Sequence, residues 1–81
     1  MNTIKHTAEL IDYLLAVKTP EGMEEALRAL LTPAEFADIT NRLQIIKRLQ
    51  AGVPQRRIAE QLGVGIATVS RGARALKEIP D

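Results

Sequence analysis

The chain has 81 residues, which fits one small domain, and its 46% hydrophobic content includes one Phe, one Tyr and no Trp. This composition predicts a core of Leu, Ile, Val and Ala side chains, and a chain this small often completes its core with a second copy of itself. With no cysteine, disulfide bonds and thiolate metal sites are excluded, and we expect a reducing cytoplasm. No apolar run reaches the ~20 residues that span a bilayer, and no signal-peptide pattern occurs, so we expect no membrane partner.

The net charge of +1 hides an asymmetry between the two halves of the chain. Residues 1–41 carry three basic and seven acidic side chains, whereas residues 42–81 carry eight basic and three acidic ones. A charge separation of this kind favours a polyanion as the partner of the second half. The alternative is a pair of solvated helix faces with opposite bias.

Two helices are predicted in the first 30 residues. The first spans residues 8–17, with Thr7 as its N-cap and an apolar stripe of Leu10, Ile11, Leu14 and Leu15. The second begins at Thr19-Pro20, where proline suits the first helical position because no amide donor is needed there. Its predicted inward face consists of Met23, Ala26, Leu27 and Leu30.

The third predicted helix opens with a capping box. Thr32 is the cap, and Glu35, three residues later, can reach back to the amide of Thr32. The helix ends at Gly52. Ile45 widens its apolar stripe, so we expect the helix to contact more than one neighbouring element. The stripe consists of Phe36, Ile39, Leu43, Ile46 and Leu49.

Residues 55–76 predict two short helices joined by a tight turn. Val53-Pro54 precedes the first helix, Gly63 interrupts the pattern at a position suited to positive φ, and Ala59 allows a close approach of the two backbones. We expect Pro80 to close the second helix. The inward residues are Ile58, Ala59 and Leu62 on the first helix, and Val69, Ala73 and Leu76 on the second.

The outward face of the second helix combines small, hydroxyl and cationic side chains, namely Ile66, Ala67, Thr68, Ser70, Arg71 and Arg74. Such a surface suits a DNA major groove, where thymine methyl groups accept apolar contacts and phosphates accept Arg and Ser. The pattern therefore predicts a DNA-binding helix-turn-helix. The alternative is an ordinary helical hairpin on a solvated surface.

Enzymatic chemistry finds little support in the sequence. His6 is the one histidine and lies near a terminus, and no spacing of residues suits a metal. The Gly63-x-Gly65 pair follows no predicted strand, which disfavours a dinucleotide-binding loop. We therefore expect neither an enzyme nor a metalloprotein.

Three parts of the sequence form a recognisable combination: Leu31-Thr32-Pro33, Arg42 and above all the run from Gly63 to Gly72, GVGIATVSRG. In these residues the chain resembles the tryptophan repressor family of bacteria. The resemblance implies an all-α, five-helix fold over residues 1–81, with residues 1–52 forming the dimerisation core and residues 53–77 the DNA-binding head. It further implies an intertwined homodimer on the bacterial nucleoid, which binds a palindromic operator when L-tryptophan lies between core and head.

The resemblance also implies the DNA-contacting residues. Gln55 and Arg56 resemble the family's pair at the groove edge, and Arg57 is expected to join them on phosphates. Ser70 resembles the hydroxyl that binds a phosphate. The remaining residues of the expected recognition surface are Ile66, Ala67, Thr68, Arg71 and Arg74.

The corepressor site implied by the resemblance consists of Thr32, Arg42, Arg71 and Gly72. The two arginines would flank the indole ring and hold the carboxylate, because a guanidinium is both planar and forked. Gly72 would let the ring approach closely, and the Thr32 segment would reach the ammonium group from the partner subunit. Both residues have an alternative explanation. Thr32 is equally explained as a helix cap, and Arg42 is explained by an ion pair with Asp38, four residues earlier.

The sequence departs from the family pattern at several positions. Ala75 replaces a serine that helps hold the ammonium group, and Arg74 replaces a small polar residue. The connection before Gln55 is one residue shorter, and we expect no further helix after Lys77. Three hypotheses therefore remain open: a repressor gated by L-tryptophan or a related amino acid, a ligand-independent DNA-binding regulator, and a helix-turn-helix that docks on protein.

Overall fold

A computed structural model describes residues 2–78, with side chains as far as residue 76. This part of the chain contains five helices and no strand, as the sequence predicted. The chain divides into two compact units, Met1–Phe36 and Ala37–Asp81, so the boundary falls within the third helix. The expected closure at Pro80 lies outside the described residues. The helices are α1 (Thr3–Leu15), α2 (Pro20–Leu30), α3 (Pro33–Gln50), α4 (Gln55–Leu62) and α5 (Ile66–Glu78).

Helix α1 begins five residues earlier than the sequence predicted. Its N-cap is Asn2, whose side-chain oxygen accepts a hydrogen bond from the Lys5 amide at 3.0 Å. The prediction of Thr7 as the cap was wrong, because its hydroxyl donates to the Thr3 carbonyl at 2.8 Å within the helix. Asparagine caps a helix as well as threonine does, and residues 3–7 carry too few apolar side chains to reveal a helical period.

Helix α2 begins at Pro20, as predicted, and Thr19 caps it by accepting a hydrogen bond from the Gly22 amide at 3.0 Å. Ala26 is buried, while Leu30 at the end of the expected inward face is 50% exposed. The Arg28 guanidinium lies 4.1 Å from the centre of the Phe36 ring. This contact attaches the end of α2 to the first turn of α3.

The predicted capping box of α3 is confirmed in both directions. The Thr32 amide donates to Glu35 Oε1 at 2.8 Å, and the Glu35 amide donates to Thr32 Oγ1 at 3.1 Å. The hydrogen bonds from the Thr32 backbone and side chain hold the pKa of the Glu35 carboxyl below its ordinary value. The box therefore fixes the first turn of α3.

The end of α3 is a Schellman motif centred on Gly52, which has a φ of +84°. The Val53 amide donates to the Arg48 carbonyl, and the Gly52 amide donates to the Leu49 carbonyl, both at 3.0 Å. The predicted termination at Gly52 is confirmed. The motif turns the chain directly toward α4.

The core of the second unit takes one fully buried side chain from each of its helices: Ile45, Ile58 and Val69. Ile45, expected only to widen the stripe of α3, lies at its centre, whereas Leu43 is 54% exposed. The two positions lie on nearly opposite sides of a helix, since two residues turn about 200°. The partly buried residues around this core are Leu49, Val53, Ala59, Leu62 and Val64.

Candidate nucleic-acid interface and ligand cavity

The turn between α4 and α5 has the geometry that its glycine predicts. Gly63 adopts a φ of +67°, and the Val64 amide donates to the Ala59 carbonyl at 3.1 Å. The Thr68 amide donates to the Gly65 carbonyl at 3.1 Å and so opens α5. Two short helices thus pack through Ile58 and Val69, with a tight left-handed turn between them.

The side chains expected to contact DNA lie on exposed or partly exposed positions of α4 and α5. Gln55, Arg56 and Arg57 form the exposed first turn of α4. On α5, Ile66 is 50% exposed although it is apolar, which leaves it available for contact with a base. The other expected contacts are the exposed Ala67, Arg71 and Arg74 and the partly buried Thr68 and Ser70.

A hydrogen bond joins two of these expected contacts. Ser70 Oγ donates to Gln55 Oε1 at 2.8 Å, which connects α5 to the first turn of α4. The sequence predicts the two residues only as separate contacts, because they lie 15 positions apart. Their side chains are held as a pair.

Arg48 is a residue whose role the sequence did not reveal. Its Nε donates to Gln61 Oε1 at 3.1 Å, and its Nη1 donates to Gln44 Oε1 at 2.7 Å. The bond to Gln61 ties α3 to the C-terminal turn of α4. Only the basic charge of Arg48 was apparent in the sequence, since its partner on α4 is 13 residues away.

A cavity of about 530 Å³ lies between α3 and α5. Each helix contributes four residues at the spacing i, i+3, i+4 and i+7, which places them on one helix face. The α3 residues are Asp38, Asn41, Arg42 and Ile45, and the α5 residues are Thr68, Arg71, Gly72 and Ala75. Val64, from the turn, completes the lining.

Three of the four residues expected to bind the corepressor line this cavity: Arg42, Arg71 and Gly72. Thr32 is not among the lining residues, and in the first unit it forms the cap of α3. Ala75, which was noted as a departure from the family pattern, is a lining residue. Asp38, Asn41, Ile45 and Val64 were not predicted as part of the site, although the first three share a helix face with Arg42.

The charged groups of the cavity are two guanidinium groups and one carboxylate. The ion pair of Arg42 with Asp38 is not formed, because Arg28–Glu24 is the one ion pair within 4.0 Å among the described side chains. Arg71 makes a single long hydrogen bond of 3.4 Å to the Thr68 hydroxyl. The cavity therefore presents unneutralised groups of both signs.

The apolar floor of the cavity is formed where Gly72 meets Ile45. A Cβ added at Gly72 would lie 2.8 Å from Ile45 Cγ2, a distance shorter than any ordinary carbon contact. Gly72 is buried at this point. Glycine is therefore required for α5 to lie this close to α3.

These features define a class of protein. Two short helices around a glycine turn, with an exposed face that carries arginine and hydroxyl side chains, form a helix-turn-helix of the DNA-binding kind. Among the described residues, no group of three or more His, Cys, Asp or Glu is arranged to hold a metal ion. None of the described helices is long and apolar enough to cross a membrane.

Comparison with known proteins identifies the family within this class. The family described as Trp repressor protein matches residues 5–81. A Trp operon repressor homolog of Vibrio campbellii is 35% identical over 78 residues, which are 95% of this chain and 78% of the relative. A Trp operon repressor homolog of Photobacterium profundum is 35% identical over 88 aligned positions, gaps included, which cover 100% of this chain and 85% of the relative. No solved structure gives a significant match.

A third relative comes from another genus. A Trp operon repressor homolog of Chlamydia caviae is 35% identical over 72 residues, which are 88% of this chain and 71% of the relative. The chain therefore belongs to the Trp repressor family, whose members are DNA-binding transcriptional repressors and not enzymes. The family is regulated by tryptophan. The resemblance seen in the sequence is confirmed, and docking on protein is disfavoured as the role of the helix-turn-helix.

Proposed function

We propose that this repressor acts as a homodimer on a palindromic operator in chromosomal DNA in the cytoplasm, and that L-tryptophan or a related amino acid gates its binding. The observation that carries the proposal is the position of the cavity directly behind the recognition helix. One face of α5 lines the cavity through Arg71 and Gly72, and another carries Ile66, Ala67 and Arg74 at exposed positions. A ligand in the cavity would therefore set the position of the helix that enters the groove.

The chemistry of the cavity supports an amino acid as the ligand. Arg42 and Arg71 both line it, and a guanidinium binds a carboxylate with two parallel hydrogen bonds while offering a flat face to an aromatic ring. A volume of about 530 Å³ lies within the ordinary range of small-molecule sites. We propose that the partner subunit adds its Thr32 segment to this site.

Exposed apolar side chains in the N-terminal helices support the homodimer. No described residue of α1 is buried, and its Leu10, Ile11 and Leu15 are 45%, 50% and 72% exposed. Apolar surface of this kind is commonly covered by a partner. We propose that residues 1–52 form the dimer core and residues 53–77 the heads, whose recognition helices must lie about 34–36 Å apart to enter successive major grooves.

Titration with L-tryptophan tests the gating, and the ligand's own fluorescence reports it, since the chain has one Tyr and no Trp. We expect saturable binding at about one ligand per chain, confirmed by calorimetry, together with tighter binding to operator-containing DNA. Operator sequences would first be selected from random duplexes with ligand present. Binding of L-tryptophan without any change in DNA affinity would contradict the proposed gating.

Ligand-independent repression is the second candidate, and two side chains of α5 favour it. Ala75 brings no hydroxyl group to the cavity, and Arg74 adds an exposed cation beside the expected phosphate contacts. A repressor of this kind would bind its operator equally well with and without L-tryptophan. Its affinity would fall steeply with salt, because more phosphates would be neutralised by arginine.

A further inference from the structure

The cavity contains one acidic side chain, Asp38, which stands on the same face of α3 as Arg42. The Asp38 side chain makes no hydrogen bond or ion pair with any other described residue, although Arg42 is one helical turn away. An Asp–Arg pair at this spacing ordinarily contributes to helix stability. The cavity therefore keeps a carboxylate and two guanidinium groups apart, with open volume among them.

This set of charges matches one class of ligand. A ligand with a carboxylate alone would satisfy Arg42 and Arg71 but would add a second anion beside Asp38. A ligand with an ammonium group alone would pair with Asp38 but would meet two cations. A zwitterionic α-amino acid satisfies both signs, because its carboxylate and ammonium groups are attached to the same carbon.

We propose that Asp38 is a specificity-determining residue, which accepts the ammonium group of an α-amino acid whose carboxylate is held by Arg42 and Arg71. Gly72 and Ala75, on the α5 side, offer no polar side chain, and Asp38 is the one lining residue that can pair with a cation. Asn41, one turn from Asp38 on the same face, adds an amide to the same wall. The inference rests on the proposed amino-acid gating and deepens it by naming the group that distinguishes an amino acid from a simple carboxylate.

The test measures the binding of L-tryptophan, indole-3-propionate and tryptamine to the full chain by calorimetry. Indole-3-propionate lacks the ammonium group, and tryptamine lacks the carboxylate. We expect the unmodified protein to prefer L-tryptophan to indole-3-propionate by about tenfold, which is the typical effect of one charged hydrogen bond. The Asp38→Asn variant should lose this preference and bind indole-3-propionate at least as well as the unmodified protein does.

Glu60→Gln serves as the matched control, because Glu60 is exposed on α4 of the same unit and does not line the cavity. It removes the same charge and should leave the ligand preference unchanged. Asp38→Ser is a second variant, without the amide of asparagine, and should behave as Asp38→Asn does. Helical content measured by circular dichroism confirms that the variants fold.

Three results would overturn the inference, and they are distinguishable. If L-tryptophan binds and Asp38→Asn keeps the original preference for it, the role of Asp38 is wrong, while the binding of L-tryptophan that the proposed gating requires is upheld. If none of the three probes binds the unmodified protein at millimolar concentration, both the gating and the role of Asp38 are wrong. If Glu60→Gln alters the preference as much as Asp38→Asn does, the effect is a general one of charge, and Asp38 is not its source.

Discussion

Gly72 of α5 lies against Ile45 of α3 with no room for a side chain, since an added Cβ would stand 2.8 Å from Ile45 Cγ2. Ile45 is 2% exposed and belongs to the core of the second unit, so it has little freedom to move aside. The contact brings the recognition helix onto α3 and forms the floor of the cavity. It joins the packing of the unit to the proposed ligand site.

Gly72→Ala should destabilise the protein by roughly 1–3 kcal/mol, the usual range for overpacking a core, in denaturant unfolding at fixed protein concentration. Gly65→Ala is the matched control, because an added Cβ there would meet no atom within 4 Å beyond Gly65 itself and its two chain neighbours. Ile45→Leu removes the Cγ2 methyl group and should recover part of the loss when combined with Gly72→Ala. Equal effects of the two glycine substitutions would contradict the close contact.

The two cavity arginines should differ in their effects. Arg71→Ala should weaken L-tryptophan binding by about tenfold or more and also weaken DNA binding, because Arg71 lines the cavity and stands on the recognition helix. Arg42→Ala should weaken L-tryptophan binding but leave DNA binding by the ligand-free protein unchanged. Calorimetry and fluorescence anisotropy measure the two affinities. If both survive Arg71→Ala, the assignment of the site is wrong.

The Ser70–Gln55 pair should behave as one unit in DNA binding. The side chains are joined by a hydrogen bond of 2.8 Å, so removing either one releases the other. A double-mutant cycle of Ser70→Ala and Gln55→Ala on operator affinity should give a coupling of about 0.5–1.5 kcal/mol. Strictly additive losses would mean that the two residues contact DNA independently.

Arg56 and Arg57 should separate base recognition from phosphate contact. Arg56→Ala is expected to relax discrimination at one base pair of each half-site by about 1–3 kcal/mol, because arginine binds guanine with two hydrogen bonds. Arg57→Ala should weaken binding evenly across sequences and reduce its salt dependence. Affinities for a set of operators with single base-pair changes distinguish the two. A uniform loss for Arg56→Ala would make it a phosphate contact.

The Glu35 capping box should stabilise the fold in a pH-dependent way. Because hydrogen bonds from Thr32 lower the pKa of Glu35 in the folded state, its contribution is present above the ordinary carboxyl range and disappears as the pH falls through the lowered value. The Tm of the unmodified protein should therefore be higher than that of Glu35→Gln near neutral pH. This gap in Tm should disappear in acid. Thermal unfolding across this range, followed by circular dichroism, measures the gap.

Glu9→Gln provides the control for this series, because the Glu9 side chain makes no hydrogen bond with another described residue. It should show no comparable gap at neutral pH. A gap for Glu35→Gln that stays constant into strong acid would assign its effect to something other than the ionised cap.

Much of the local structure could be predicted because its causes lie within a few residues. The Thr32–Glu35 box, the capping by Thr19 and the left-handed turns at Gly52 and Gly63 each depend on contacts of three to five positions. The start of α1 could not be predicted in the same way. Both Asn2 and Thr7 are suitable caps, and little apolar periodicity distinguishes the two starts.

The sequence by itself therefore determined the five helices, the helix-turn-helix and the family. Helix caps, glycine turns and the GVGIATVSRG motif each depend on residues that are close together in the chain. Only the tertiary structure decided that Gly72 meets Ile45, that Ser70 bonds to Gln55, and that Asp38 lines the same cavity as Arg42 and Arg71. Each of these relationships involves residues on two different helices. They depend on how closely and at what rotation α3, α4 and α5 pack, which side-chain volume in the core decides.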